Sequence, residues 1–296
     1  MPYGSDKTAK YSPARESAIR SLQIAMPLCH TAAMTIVLIA VALYLVASGL
    51  LIAAVRHDVG RQARLWLLPA NLAVLLHGAA HFLAWRAAGG ADLHFFAALS
   101  LVGLGMAALT AIVGASGRMA ALGVVVFPLA ALMLGAYQFN GHVQHPAPLD
   151  WRLQLHAWFA LLAYATLAVA ALFALMLWLQ ERALRRREFH GWLRALPPLV
   201  ELESLLFRTI AVGFALLTAT LLTGVLFVEN LFAQHLVHKT VLSVLSWLAF
   251  GGLLLGRWRY GWRGTTAVRW TLAAMVLLVL AFFGSKFVLE LVLRRT

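Results

Sequence analysis

The side chains best suited to chemistry in this sequence are its 11 histidines. His77 and His81 stand four apart, and His235 and His238 three apart, spacings that put both imidazoles of a pair on one helix face. His142 and His145 form another close pair, but Pro146 and Pro148 beside them favour a solvated loop. His94 and His156 each open an apolar run, and His30 precedes the first such run. Neutral imidazole ligates haem iron, zinc or copper. A catalytic zinc site takes three protein ligands, often from a His-Glu-x-x-His helix, and that motif is missing. Sulfur ligands, which copper favours, are sparse near these histidines. The single cysteine, Cys29, also excludes an intramolecular disulfide and any Cys-x-x-Cys motif. Haem needs only two axial ligands from facing helices and a wide apolar slot.

The elements that must position these imidazoles follow from composition. Apolar residues make up 62% of the chain and charged residues 12%, with a mean hydropathy of +0.83. Soluble domains are about half apolar and a quarter charged, so lipid must be part of this chain's solvent. The net charge of +13 raises the question of nucleic acid. The basic residues fall between apolar runs, however, which is how membrane proteins orient themselves, and no nucleic-acid partner is expected. Eight runs reach the roughly 20 residues that cross a bilayer: 32–55, 65–86, 93–114, 118–139, 155–179, 205–229, 238–257 and 268–292. They are continuous rather than alternating, so helices, not a barrel, satisfy the backbone in lipid. The expectation is an all-α polytopic membrane protein. Residues 1–31 form a polar tail, with Met34 as an alternative start, and 32–296 form a single eight-helix domain.

Lys and Arg in or bordering the odd-numbered connections number three, one, five and four, against about one in each of the others. The positive-inside rule therefore puts the odd connections in the cytoplasm and both termini in the periplasm, if the membrane is a bacterial inner membrane. On that topology nine histidines face outward, and only His57 and His190 lie inside. Residues 180–204, with Arg185, Arg186, Arg187 and Pro197–Pro198, are expected to be a solvated connection. Arg257, Trp258, Arg259, Tyr260, Trp262 and Arg263 resemble an interfacial anchoring belt. Trp158 and Tyr164 are expected to pack, and Gly252-x-x-x-Gly256 to allow close helix approach.

The segment from Leu155 and His156 through Tyr164-Ala165 resembles the start of a helix in the cytochrome c assembly family, which includes CcsA-, CcmC- and HemX-type proteins. The likeness continues through Pro197-Pro198, Glu229-Asn230, His238-Lys239-Thr240, Gly261-Trp262-Arg263 and Gly284-Ser285-Lys286, and is strongest to the YpjD-type branch. It implies haem handling at the outer face of a bacterial inner membrane. In the best-understood members a Trp-rich external loop, the WWD motif, holds haem between flanking histidines. Here the corresponding segment, 228–240, has no tryptophan, and only Lys239 matches the motif's end. His156 matches the first flanking histidine. The second falls near Ser285 and Lys286, and a third near Arg257, and none of these is histidine.

The resemblance and the residues together give an expectation of one haem, of the b type, near the periplasmic face. His156 would be one axial ligand, with His77 or His238 opposite, and Lys239 and Lys286 would face the propionates. Lys286 also stands four residues from Glu290, where an ion pair or snorkelling accounts for both. The partners implied are haem, the bilayer and a membrane protein, and no bond-making step is assigned to the chain. Two alternatives remain: a cofactor-free assembly or regulatory partner, and a transporter. Coupled transporters place ionisable residues at the midplane, where this chain has few.

Overall fold

The computed structural model describes residues 34–54, 64–114, 120–140, 150–186, 198–227 and 234–284, with Phe287. Eight helices follow in chain order: α1 (Met34–Ala54), α2 (Leu67–Ala88), α3 (Phe95–Gly114), α4 (Ala120–Phe139), α5 (Trp151–Arg186), α6 (Leu199–Phe227), α7 (Gln234–Tyr260) and α8 (Gly264–Val279). A π-turn, Leu280–Gly284, continues α8. All eight are long and apolar enough to span a bilayer, and no strand occurs among the described residues. Large apolar side chains on the outer faces, such as Leu68, Ile112, Leu132 and Val225, are exposed and need lipid around them.

Neighbouring helices run antiparallel, as specific contacts establish. Ser48 late in α1 meets Val124 early in α4. His81 late in α2 meets Ser100 early in α3, and Tyr164 in the first half of α5 donates to the carbonyl of Leu278 near the end of α8. Small residues let these helices approach closely. Gly213 faces Leu167 between α5 and α6, and Gly105 of α3 faces Ala165 of α5. The core is aliphatic and aromatic, with Tyr44, Trp66, Phe127, Leu167, Leu206 and Phe250 fully buried.

The boundaries differ from the apolar runs where helix and lipid part company. α5 extends to 36 residues, because Glu181, Arg182, Arg185 and Arg186 are helix formers that need no lipid. α6 starts at Leu199, directly after Pro198, whose carbonyl accepts from the amides of Glu201 and Leu202. Residues 180–186 and 199–204 are thus helical rather than part of a solvated loop.

Within that stretch Glu203 is 2% exposed and receives two guanidinium groups. Arg257 at the end of α7 donates to it at 2.9 Å, and Arg263 before α8 grips both its oxygens. The carboxylate raises the pKa of the Arg263 guanidinium above its ordinary value. The expected anchoring belt is therefore divided in role. Trp258 and Tyr260 are exposed anchors, whereas Arg257 and Arg263 pin α6 to α7 and α8. Gly256 also has a more specific use than helix approach: a Cβ there would stand 2.3 Å from the Trp262 ring, so its absence seats that indole.

Candidate functional site

At the opposite end of the bundle from Glu203, the starts of α3, α5 and α7 meet the ends of α2, α4, α6 and α8. The described histidines His77, His81, His94 and His156 lie in that half of the bundle, His77 at mid-helix and the others nearer the end. They form two separate groups.

The first group fills the space among α1 to α4. His77 and His81 are 0% and 1% exposed. The Nε2 atoms of both lie 2.9 Å from the Ser100 hydroxyl oxygen. Nδ1 of His77 stands 3.2 Å from the Tyr44 hydroxyl, and the His81 ring stacks on Tyr137 with centroids 4.4 Å apart. One hydroxyl proton serves one imidazole while the oxygen accepts from the other, so two neutral rings here carry opposite tautomers. Just before the start of α3, Asp92 accepts from both the backbone amide and Nδ1 of His94. Both ring nitrogens of His77 are thus engaged inside this network, in a group apart from His156.

The second group centres on His156, one turn into α5. Its Nδ1 lies 3.1 Å from the carbonyl oxygen of Thr220 and 3.2 Å from the Thr223 hydroxyl, both on α6. A carbonyl can only accept, so Nδ1 carries the proton and Nε2 keeps its lone pair in the neutral ring. Thr223 in turn donates to the Ala219 carbonyl at 2.8 Å, leaving its oxygen to accept. Gly224 completes the seat: a Cβ there would stand 3.2 Å from Cε1 of His156. Ligating histidines are commonly held in this way, with the distal N–H on a backbone carbonyl.

Two apolar cavities flank the ring. One, about 240 Å³, lies toward α6 and α7, with Leu217, Val244, Lys239 and Ser243 in its walls. The other, about 250 Å³, lies toward α3, with Leu93, Val102 and Leu153. Each is below the roughly 300 Å³ of ordinary small-molecule sites. They share His156, Ala160, Tyr164 and Phe282 in their walls, so they stand side by side about the ring as the two lobes of a His156 slot. The π-turn contributes Ala281, Phe282 and Phe283 to the walls, consistent with the frequent use of such turns at functional sites. Tyr164, expected only to pack, lines both lobes and is tied to Leu278.

Among the residues singled out from sequence, His156 and Lys239 line the same cavity. His238 lies on α7, but its side chain, like those of Lys286 and Glu290, is outside the described residues. The described residues contain no group of three or more His, Cys, Asp or Glu able to hold a metal ion. The slot thus offers one imidazole in apolar surroundings and one cation in its wall.

The sequence profile described as "Cytochrome C assembly protein" matches residues 65–293. Inner membrane protein YpjD of Escherichia coli (strain K12) is 32% identical over 259 residues, covering 86% of this chain and 98% of that protein. An uncharacterized 28.8 kDa protein of Azospirillum brasilense is 40% identical over 153 residues, covering 51% of this chain and 56% of the other. Protein HemX of Brevibacillus brevis is 26% identical over 134 residues, covering 45% and 49%. No solved structure matches the chain.

Proposed function

The chain belongs to the cytochrome c assembly protein family, and on that premise we propose that it is an inner-membrane assembly protein that binds one haem b near the periplasmic face. Its membrane-spanning character rests on the eight apolar helices. The inner membrane is carried over from the YpjD relative, and the outward position of the slot, with both termini periplasmic, from the basic connections at the other end.

The observation that carries the reading is the His156 imidazole standing between two apolar lobes, its Nδ1 held by the Thr220 carbonyl and its Nε2 lone pair available. His156 would supply one axial bond and Lys239 a cation for a propionate. His238, next to Lys239 in sequence, would be the second histidine to hold the iron, and Lys286 a further cation for a propionate. A bound haem would supply a redox-active, strongly absorbing iron centre. The chain's own residues bind it, orient it and exclude water from it.

The test is the absorbance spectrum of purified protein after haem supplementation, with His156→Ala beside it. The reading requires an intense haem band in the wild type that His156→Ala shifts or removes, and a colourless wild type ends it. One feature favours a second reading, a cofactor-free assembly partner: residues 228–240 contain no tryptophan to stack on an exposed porphyrin. A colourless preparation that retains a stoichiometric membrane-protein partner supports that alternative.

A further inference from the structure

A larger cavity, about 420 Å³, lies beside the His156 slot, between the end of α2, the α2–α3 connection and the start of α5. Its walls include Trp85, Arg86, Gln154 and Trp158. The two indoles meet edge to face, with centroids 5.6 Å apart and planes at 67°. The indole N–H of Trp85 is buried and has no hydrogen-bond partner among the described residues, a costly state for a donor unless an acceptor arrives. Arg86 is exposed, with its guanidinium 5.7 Å from the Phe82 ring centroid. This cavity shares Leu93, Ala157 and Leu161 with the α3-side lobe of the slot. The two tryptophans and the arginine at the helix ends are thus separated from the His156 cavity only by this shared wall of Leu93, Ala157 and Leu161.

Each feature selects a part of one ligand chemistry. Indole faces and edges favour a flat conjugated system, and an exposed guanidinium favours a carboxylate. A buried N–H favours an oxygen acceptor, and a position at the helix ends favours an amphiphile at the membrane boundary. A lipid acyl chain uses none of the polar groups. We propose that this cavity is a lateral vestibule through which a dicarboxylate porphyrin reaches the His156 slot, with Trp85 and Trp158 as its aromatic wall and Arg86 as its carboxylate anchor. The proposal rests on the haem reading of that slot, but it names different residues and an earlier step.

Two probes separate the two claims. Metal-free protoporphyrin IX needs no axial ligand, so the vestibule alone must make it quench tryptophan fluorescence, in His156→Ala as in wild type. Trp158→Phe and Arg86→Gln should weaken that quenching roughly two- to tenfold, the range expected for losing one aromatic or charged contact. With ferric haem, rapid mixing should show the same variants reaching the wild-type final spectrum more slowly by a similar factor. Arg86→Gln should lose its effect when the porphyrin is the dimethyl ester. Arg86 is exposed, so this arm survives if a tryptophan variant fails to fold. Quenching and haem uptake that match wild type in every variant overturn the vestibule. Normal porphyrin quenching without any haem band removes the His156 ligand and leaves the vestibule standing.

Discussion

Nδ1 of His156 stands 3.1 Å from the carbonyl oxygen of Thr220, so a histidine that opens α5 takes its tautomer and its aim from the last turns of α6. The two residues are 64 apart in sequence. The hydrogen bond turns an ordinary helix-end histidine into a fixed imidazole whose free nitrogen is the one a metal would need.

The seat for that ring predicts the effect of a small change. Gly224→Ala would put a Cβ 3.2 Å from Cε1 of His156, tighter than normal van der Waals contact, so the ring must shift. Overpacking of this kind costs about 1 kcal/mol at its mild end, or roughly fivefold in affinity. A haem titration should show that weakening, alongside a small fall in melting temperature in detergent.

His77 should behave in the opposite way. His77→Ala leaves the Tyr44 and Ser100 hydroxyls in the core without their imidazole and opens a void. The expected cost is about 2–4 kcal/mol of stability, seen as a lower melting temperature. The haem band of whatever protein folds should keep its wild-type shape. A band altered by His77→Ala at unchanged stability would return His77 to the ligand set.

At the other end, Glu203→Gln removes the charge that Arg257 and Arg263 share. Losing a charge-assisted bond to a buried carboxylate costs about 2 kcal/mol. Arg257→Ala should destabilise more than Arg263→Ala, because Arg263 is 55% exposed against 33% for Arg257 and water screens it better. Thermal melting of the three variants gives the order directly.

Gly256→Ala would drive a Cβ into the Trp262 indole, 2.3 Å away. A loss of about 1–3 kcal/mol is expected, and Trp262→Ala should absorb most of it. A double-mutant cycle that shows no coupling would contradict the contact.

The eight spans were legible because each apolar run is as long as a bilayer is thick, and the helices lie within a few residues of the runs except where they leave lipid. α5 continues past its apolar run on Glu181, Arg182 and Arg185, a signal that hydropathy alone discards. That the described histidines His81, His94 and His156 gather toward one end was legible from topology, since alternating helices fix which ends meet. Partners were not. Tyr44, Ser100 and Tyr137 show no local pattern that marks them as neighbours of His77 and His81, and Glu203 looked like part of a solvated connection. His77 and His81 share a helix face as their spacing required, but that face turns into α1, α3 and α4, and helical periodicity carries no information about which neighbour a face meets. Trp85 and Trp158, 73 positions apart in sequence, come together only through the packing of α2 near α5.

The most direct test of the central claim is chemical rescue at His156. In purified His156→Gly supplemented with haem, the absorbance spectrum should lack the wild-type band, and millimolar imidazole should restore it by occupying the space the side chain leaves against Thr220 and Gly224. A wild-type band in the glycine variant before imidazole is added would contradict axial ligation by His156.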